Sequence, residues 1–161
     1  MSDVTLVDVA RNKAREKFLK FFPGGFDDEK YISWERGYKW NAHLLWKKLL
    51  NKKQFSALLK QNEYNEIAKI ALYIEGKTNL LFSFEKMAIR DALKTLSATK
   101  KFSEGLYNLL YGKGEKSARF NDFIQIISSL PRKQTRVLTW PLVTVFGFMS
   151  RQNDNVPLRP K

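Results

Sequence analysis

The chain has 161 residues, with 29 Lys and Arg against 16 Asp and Glu, a net charge of +13, one histidine and no cysteine. The cysteine count excludes disulfides, thiolate metal sites and cysteine nucleophiles, and one histidine leaves almost no room for a nucleophilic triad. A composition 43% hydrophobic and 14% aromatic is enough to build a core and argues against disorder.

Helical periodicity dominates from the start. A first helix is expected from Val4 to Phe22, ended by Pro23-Gly24-Gly25, since proline and glycine together stop helices. Asp27-Asp28-Glu29 suits the start of the next helix, because carboxylates favour a helix N-terminus. That helix, or pair of helices, runs to about Leu50. On its wheel Trp34, Tyr38, Ala42, Leu45 and Leu49 share one face, expected to be the core side, with Trp46 at its edge. Trp40 falls opposite, near Arg36, His43 and Lys47.

Lys53 to Lys60 reads as a short helix. Asn62 is placed as the cap of the next one, where Ile67, Ile70, Ala71 and Ile74 recur at helical spacing and Gly76 marks the stop. Thr78 or Asn79 then caps a helix to about Leu96, on which Glu85, Arg90 and Asp91 are expected to form buried or inter-helix ion pairs. A further helix spans Lys101 to Tyr111. After the Gly112-Lys113-Gly114 loop, Ser117 is placed as the cap of a helix carrying Phe120, Phe123, Ile124 and Ile127 at i, i+3, i+4, i+7. Leu130-Pro131 ends it, because a residue before proline avoids the helical region.

The stretch SSLPRKQTRVLTWPLVTVFGFMS, residues 128–150, places three cations in five residues and then turns apolar. Ser129 can cap a short helix with Pro131 in its first turn, which sets Arg132 and Arg136 on one face beside Lys133. Pro141 forbids a straight helix through Trp140, so a kink or a fresh helix is expected there. The run from Leu142 to Met149 reads as a buried core helix, apolar all round. The β-branched residues Val143, Thr144 and Val145 leave a short buried strand within 137–149 as the alternative. The longest apolar run, 13 residues from Val137 to Met149, is shorter than the roughly 20 residues of a membrane span. With no secretory pattern at the N-terminus, the expectation is a cytoplasmic protein with no membrane partner. The fold expected is all-α: one compact domain of about six to eight helices over 1–152, with a basic unstructured tail at 153–161.

The charge is uneven. Residues 1–53 carry 12 basic against 7 acidic, residues 54–100 carry 7 against 5, and residues 101–161 carry 10 against 4. A folded domain this basic points to an acidic partner, foremost nucleic acid, DNA or RNA. Two clusters can meet it. On the 29–50 helix, Trp40 interleaved with Arg36, Lys39, His43 and Lys47 can stack on an unpaired base while the cations neutralise phosphates. Beyond Pro131, Arg132 and Arg136 can pair twice with phosphate and Lys133 acts as a point charge. Lys113 and Lys116 can join that surface, although the glycine loop lacks the GxxxxGK[ST] phosphate-binding pattern. The competing structural expectation is that Trp40 packs, His43 is an ordinary polar residue, and the cations are solvated or paired.

For enzymatic chemistry there is little. HExxH, paired-histidine metal spacing and EF-hand loops are absent. Glu75-x-Lys77 after an apolar run is similar to the carboxylate–lysine half of a metal-dependent nuclease site, but such sites sit on strands and need a partner aspartate. No catalytic residue, metal or cofactor is expected.

Four stretches, FFPGGFDDEKYISWERGYKWNAHLLW (21–46), TNLLFSFEKMAIRDALK (78–94), FSEGLYNLLYG (102–112) and LPRKQTRVLTWPLVTVFGFMS (130–150), resemble a family of uncharacterised bacterial proteins. They cover about half the chain in the same order. The resemblance implies a shortened or divergent member lacking a C-terminal segment, and brings no activity with it. It places Trp34, Glu35, Lys39, Trp40, His43, Phe84, Glu85, Lys86, Arg132, Lys133, Gln134, Arg136, Trp140 and Pro141 in the family pattern. The function expected is therefore non-enzymatic nucleic-acid binding. The alternatives are a protein-interaction module, self-associating as a homo-oligomer through the 137–149 segment, and, remotely, a metal-dependent nuclease.

Overall fold

The computed structural model describes residues 5–133 and 137–151. These are helical, with no strand among them. Their contacts gather into two compact units, Met1–Tyr38 and Lys39–Lys161.

In the first unit, α1 (Leu6–Phe21) opens with a capping box in which Thr5 accepts from the Asp8 backbone N–H and Asp8 accepts from that of Thr5. No residue of α1 is buried. Its C-terminal end instead meets a ring cluster: Phe18, Phe22, Phe26 and Tyr31 lie with centroids 4.9–5.5 Å apart, mostly tilted or edge-on. The turn between them needs a positive φ of 70° at Gly25, followed by a 3₁₀ turn, Gly25–Asp27. Asp28 then caps α2 (Glu29–Tyr31), accepting from the N–H groups of Lys30 and Tyr31.

A π-helical turn, Ile32–Arg36, joins α2 to α3 (Gly37–Leu49). It corrects the expected core face. A π turn inserts an extra residue, so positions before it are rotated against those after it. The stripe projected from Trp34 through Leu49 is broken there. Trp34 is 62% exposed with the Lys30 ammonium 4.4 Å from its ring, and the buried positions of α3 are Ala42 and Trp46.

The second unit continues from Lys39 along α3 through α4 (Lys52–Lys60), α5 (Tyr64–Glu75), α6 (Ser83–Ala92), α7 (Leu96–Tyr111), α8 (Lys116–Ser129) and α9 (Trp140–Ser150). Helix α7 packs against α5 and α8, while α9 touches α5, α7 and α8. Gly105 of α7 allows the close approach to α8, since a Cβ there would come within 2.5 Å of the Ile126 side chain. The run read as core helix or strand is the helix α9, which buries Leu142, Val143, Val145, Phe146 and Met149. Phe146 lies edge-on to Phe102 at 5.3 Å and 6.5 Å from Trp46. The apolar run is thus interior, and in its described residues Trp140 is the one large side chain that stands mainly in solvent. Pro141 occupies the first turn of α9, where its missing N–H costs nothing, and Thr139 caps the helix. Among the described residues no helix is long and apolar enough to cross a membrane.

Local expectations shift in instructive ways. Asn62 is not a cap: it takes a left-handed conformation, φ 58°, and accepts the Tyr64 hydroxyl, while Glu63 precedes α5. The helix expected over 79–96 is split. Thr78 donates to the Glu75 carbonyl and accepts from Leu80, α6 starts at Ser83, and Thr95 begins α7 by capping Ala98. Glu115, not Ser117, precedes α8. Ser129 belongs to the last turn of α8, where its hydroxyl donates to the Ile126 carbonyl. Leu130, extended before Pro131, ends that helix as expected. The tail at 153–161 lies outside the described residues.

Candidate functional site

Helix α6 organises the most distinctive surface of the second unit. Glu85, Ala88, Ile89 and Ala92 form its buried stripe. Phe84, Met87 and Asp91 follow at i, i+3 and i+7 on a neighbouring stripe, and Phe84 and Met87 are exposed. An aromatic and a methionine on the wet side of a helix do nothing for its core.

At the start of α6 the rings of Phe82 and Phe84 stack almost parallel, 8° apart in plane, with centroids 5.7 Å apart. They line a cleft of about 410 Å³ whose other walls are Ile124 of α8, Leu138, Thr139, Pro141 and Val143, with Trp140 at its edge. Phe82, Phe84 and Trp140 are 43%, 46% and 58% exposed. The lining holds one ionisable group, Glu85, which is 1% exposed. Its Oε1 accepts the Thr139 hydroxyl at 2.6 Å, and its Oε2 accepts the Phe82 backbone N–H at 2.9 Å. The Thr139 oxygen in turn accepts from the Leu142 N–H. The carboxyl is therefore committed to holding the walls together.

At the other end of α6 cations collect. Lys94 bonds Asp91 at 3.0 Å, and with Lys133 and Arg90 nearby the Asp91 carboxyl is held below its usual range, the Lys94 hydrogen bond being the largest cause. Lys133, on the loop after α8, thus acts electrostatically on Asp91, which lies about 10 Å along the α6 axis from Phe84.

Behind α6 lies a buried ion pair. Glu75, at the end of α5, sits 3.5 Å from Lys86, whose ammonium donates to the Thr78 carbonyl at 2.7 Å. Burial pushes the Glu75 carboxyl up, opposed by Lys86. This disposes of the arrangement the Glu75-x-Lys77 reading needed. Glu75 is helical and faces Lys86, while Lys77 stands 4.9 Å from the Tyr73 ring. No group of three or more His, Asp or Glu that could hold a metal occurs among the described residues. The ion pairs expected of Glu85, Arg90 and Asp91 are partly replaced. Glu85 bonds a hydroxyl and a backbone N–H, and Asp91 pairs within its own helix region.

The other expected site residues fall as follows. Arg132 and Lys133 are exposed on the loop after α8, and Arg136 lies outside the described residues. Arg36 is exposed in the π turn of the first unit, and Lys47 is exposed on α3. Lys39 is half-buried. Trp40 is exposed with its ring 5.1 Å from that of His43. His43 bonds the Met149 carbonyl through Nδ1 at 2.9 Å. A carbonyl can only accept, so Nδ1 carries the proton, and the ring ties α3 to the end of α9 by satisfying a helix-terminal oxygen. The structural reading of His43 thus has a specific partner.

The cleft itself was not found from sequence. Its signal was present in FSFEKMAIRD, where Phe84 and Met87 share the polar stripe of an amphipathic helix. Thr139 and Trp140 reach the same place only by folding. Comparison with family models, curated proteins and solved structures finds no match for the chain.

Proposed function

We propose that this chain is a non-enzymatic nucleic-acid-binding domain of the cytoplasm, whose contact surface is the exposed side of α6 with the loop that carries Arg132 and Lys133. One observation carries the reading: α6 carries the exposed Phe84 ring near its start and, toward its other end, Asp91, on which the cations Lys94, Arg90 and Lys133 act. Cations alone are common on a basic chain, and rings alone mark many docking sites. Rings beside cations suit a polymer of planar bases and phosphates. The net charge of +13 supplies long-range attraction to such a polyanion. Arg36, Lys39, Trp40 and Lys47 are secondary contacts in this reading, and His43 acts through its hold on α9.

Fluorescence anisotropy against labelled single-stranded DNA, RNA and duplex DNA tests the proposal. Binding that weakens steeply with salt is expected, because phosphate contacts release counterions. Absence of binding at low salt to all three removes it and turns the search to a protein partner for the aromatic cleft.

A further inference from the structure

Resting on the nucleic-acid reading, we infer that the cleft between α6, α8 and the start of α9 receives an unpaired nucleobase, so that this domain binds single strands in preference to duplex. The Phe82–Phe84 stack offers a flat π face that is nearly half exposed, and Trp140 offers a second ring at the cleft edge. A base inside a duplex has both faces covered by its neighbours, and only a splayed base can lie against such a ring. The cleft volume of about 410 Å³ falls in the small-ligand range of roughly 300–1,000 Å³.

The charge around the cleft distinguishes a base in a strand from a free apolar ligand. Lys94 pairs with Asp91 at 3.0 Å, and Arg90 and Lys133 add to the positive field on that carboxyl, toward the other end of α6 from the rings. A free hydrophobic molecule makes no use of them, whereas a strand with one base in the cleft carries its phosphates past them. A basic peptide would be repelled by the same group.

The polar atoms of the cleft set the manner of recognition. Both Glu85 oxygens already accept a hydrogen bond, and the Thr139 hydroxyl both donates and accepts. Recognition then comes from stacking, which tolerates any base because every base has a π face. Homopolymers of different bases should bind within a few-fold of one another.

The test uses the whole chain and three labelled probes of equal length and charge per strand: an ordinary oligodeoxynucleotide, the same backbone with its central bases removed, and a duplex. The base-bearing strand should bind roughly tenfold or more tighter than the abasic one. Phe84→Ala and Trp140→Ala should each erase most of that advantage. Both positions are substantially exposed, and circular dichroism checks that the variants fold. Equal affinity for base-bearing and abasic strands overturns this inference and leaves phosphate-driven binding standing. Tighter binding to duplex than to the single strand also overturns it alone. No binding to any probe overturns the nucleic-acid reading together with it, and a partner of acidic protein then becomes the occupant to seek.

Discussion

The Glu85 carboxyl joins the starts of two helices. One oxygen accepts the Phe82 N–H at the entry to α6, and the other accepts the hydroxyl of Thr139, the cap of α9, 54 residues away. Both residues line the aromatic cleft, and Glu85 is almost fully buried. Removing one partner leaves the other as a buried polar group without its bond, and that penalty exceeds the net contribution of the bond itself.

Glu85→Ala should therefore destabilise the chain by about 1–3 kcal/mol. Thr139→Val, which also removes the α9 cap, should cost about 1–2 kcal/mol. Urea unfolding of both variants and the double variant gives the coupling. A coupling below about 0.5 kcal/mol would mean the two residues act independently.

Glu75 should make stability depend on pH. Its folded-state pKa is raised above 4.5, with burial the largest cause. The native state then holds a proton that the unfolded chain has already released. Stability is full below the unfolded value and falls as pH rises through the raised one. Glu75→Gln should flatten that part of the curve. Denaturant unfolding at a series of pH values from about 4 upward reads it, and a wild-type-minus-variant difference that does not change with pH would show that Glu75 is not its source.

Trp34, within the π turn, and Trp46, on α3, should respond differently to truncation. Trp46→Ala empties a site that is 1% exposed and should cost about 3–5 kcal/mol. Trp34→Ala removes an exposed ring and its Lys30 contact, worth about 1 kcal/mol or less. Thermal or urea unfolding of the pair decides it. A large loss at Trp34 would restore the continuous core stripe that a regular helix implies.

Lys133 should be visible in the salt dependence of binding. A single phosphate contact contributes a slope of about −0.7 in log K against log salt for a single strand. Lys133→Ala should lower the slope by about that amount and weaken binding uniformly across sequences. An unchanged slope would place the phosphates elsewhere on the surface.

Phe146 tests the interior of the second unit. It is fully buried beside Phe102 and Trp46, so Phe146→Ala should cost about 3–5 kcal/mol in denaturant unfolding. A loss under about 1 kcal/mol would contradict the placement of α9 in the core.

Much of this architecture was legible before folding. Apolar spacing in α5 and α8, the Pro23-Gly24-Gly25 and Leu130-Pro131 stops, the helix start at Asp27-Asp28-Glu29 and the interruption at Pro141 are all local events, decided within a turn or two of helix. A residue's backbone preference and its neighbours at i+3 and i+4 suffice for them. What needed tertiary structure was anything set by partners distant in sequence. The π turn at Ile32–Arg36 breaks the regular helical spacing at Trp34, and a wheel drawn at 3.6 residues per turn has no means of including it. Asn62 carries the chemistry of both a cap and a left-handed turn, and its place in the chain path chose the second. The cleft depends on Glu85 meeting Thr139 and on Phe84 sharing its lining with the α9 entry. Composition determined that this would be a basic protein with an ample core, and apolar periodicity that it would be helical. Which rings stay in water, and which cations stand near them, was decided by the packing of α6 against the start of α9, because hydrogen bonds between residues 54 positions apart exist only once the chain has brought them together.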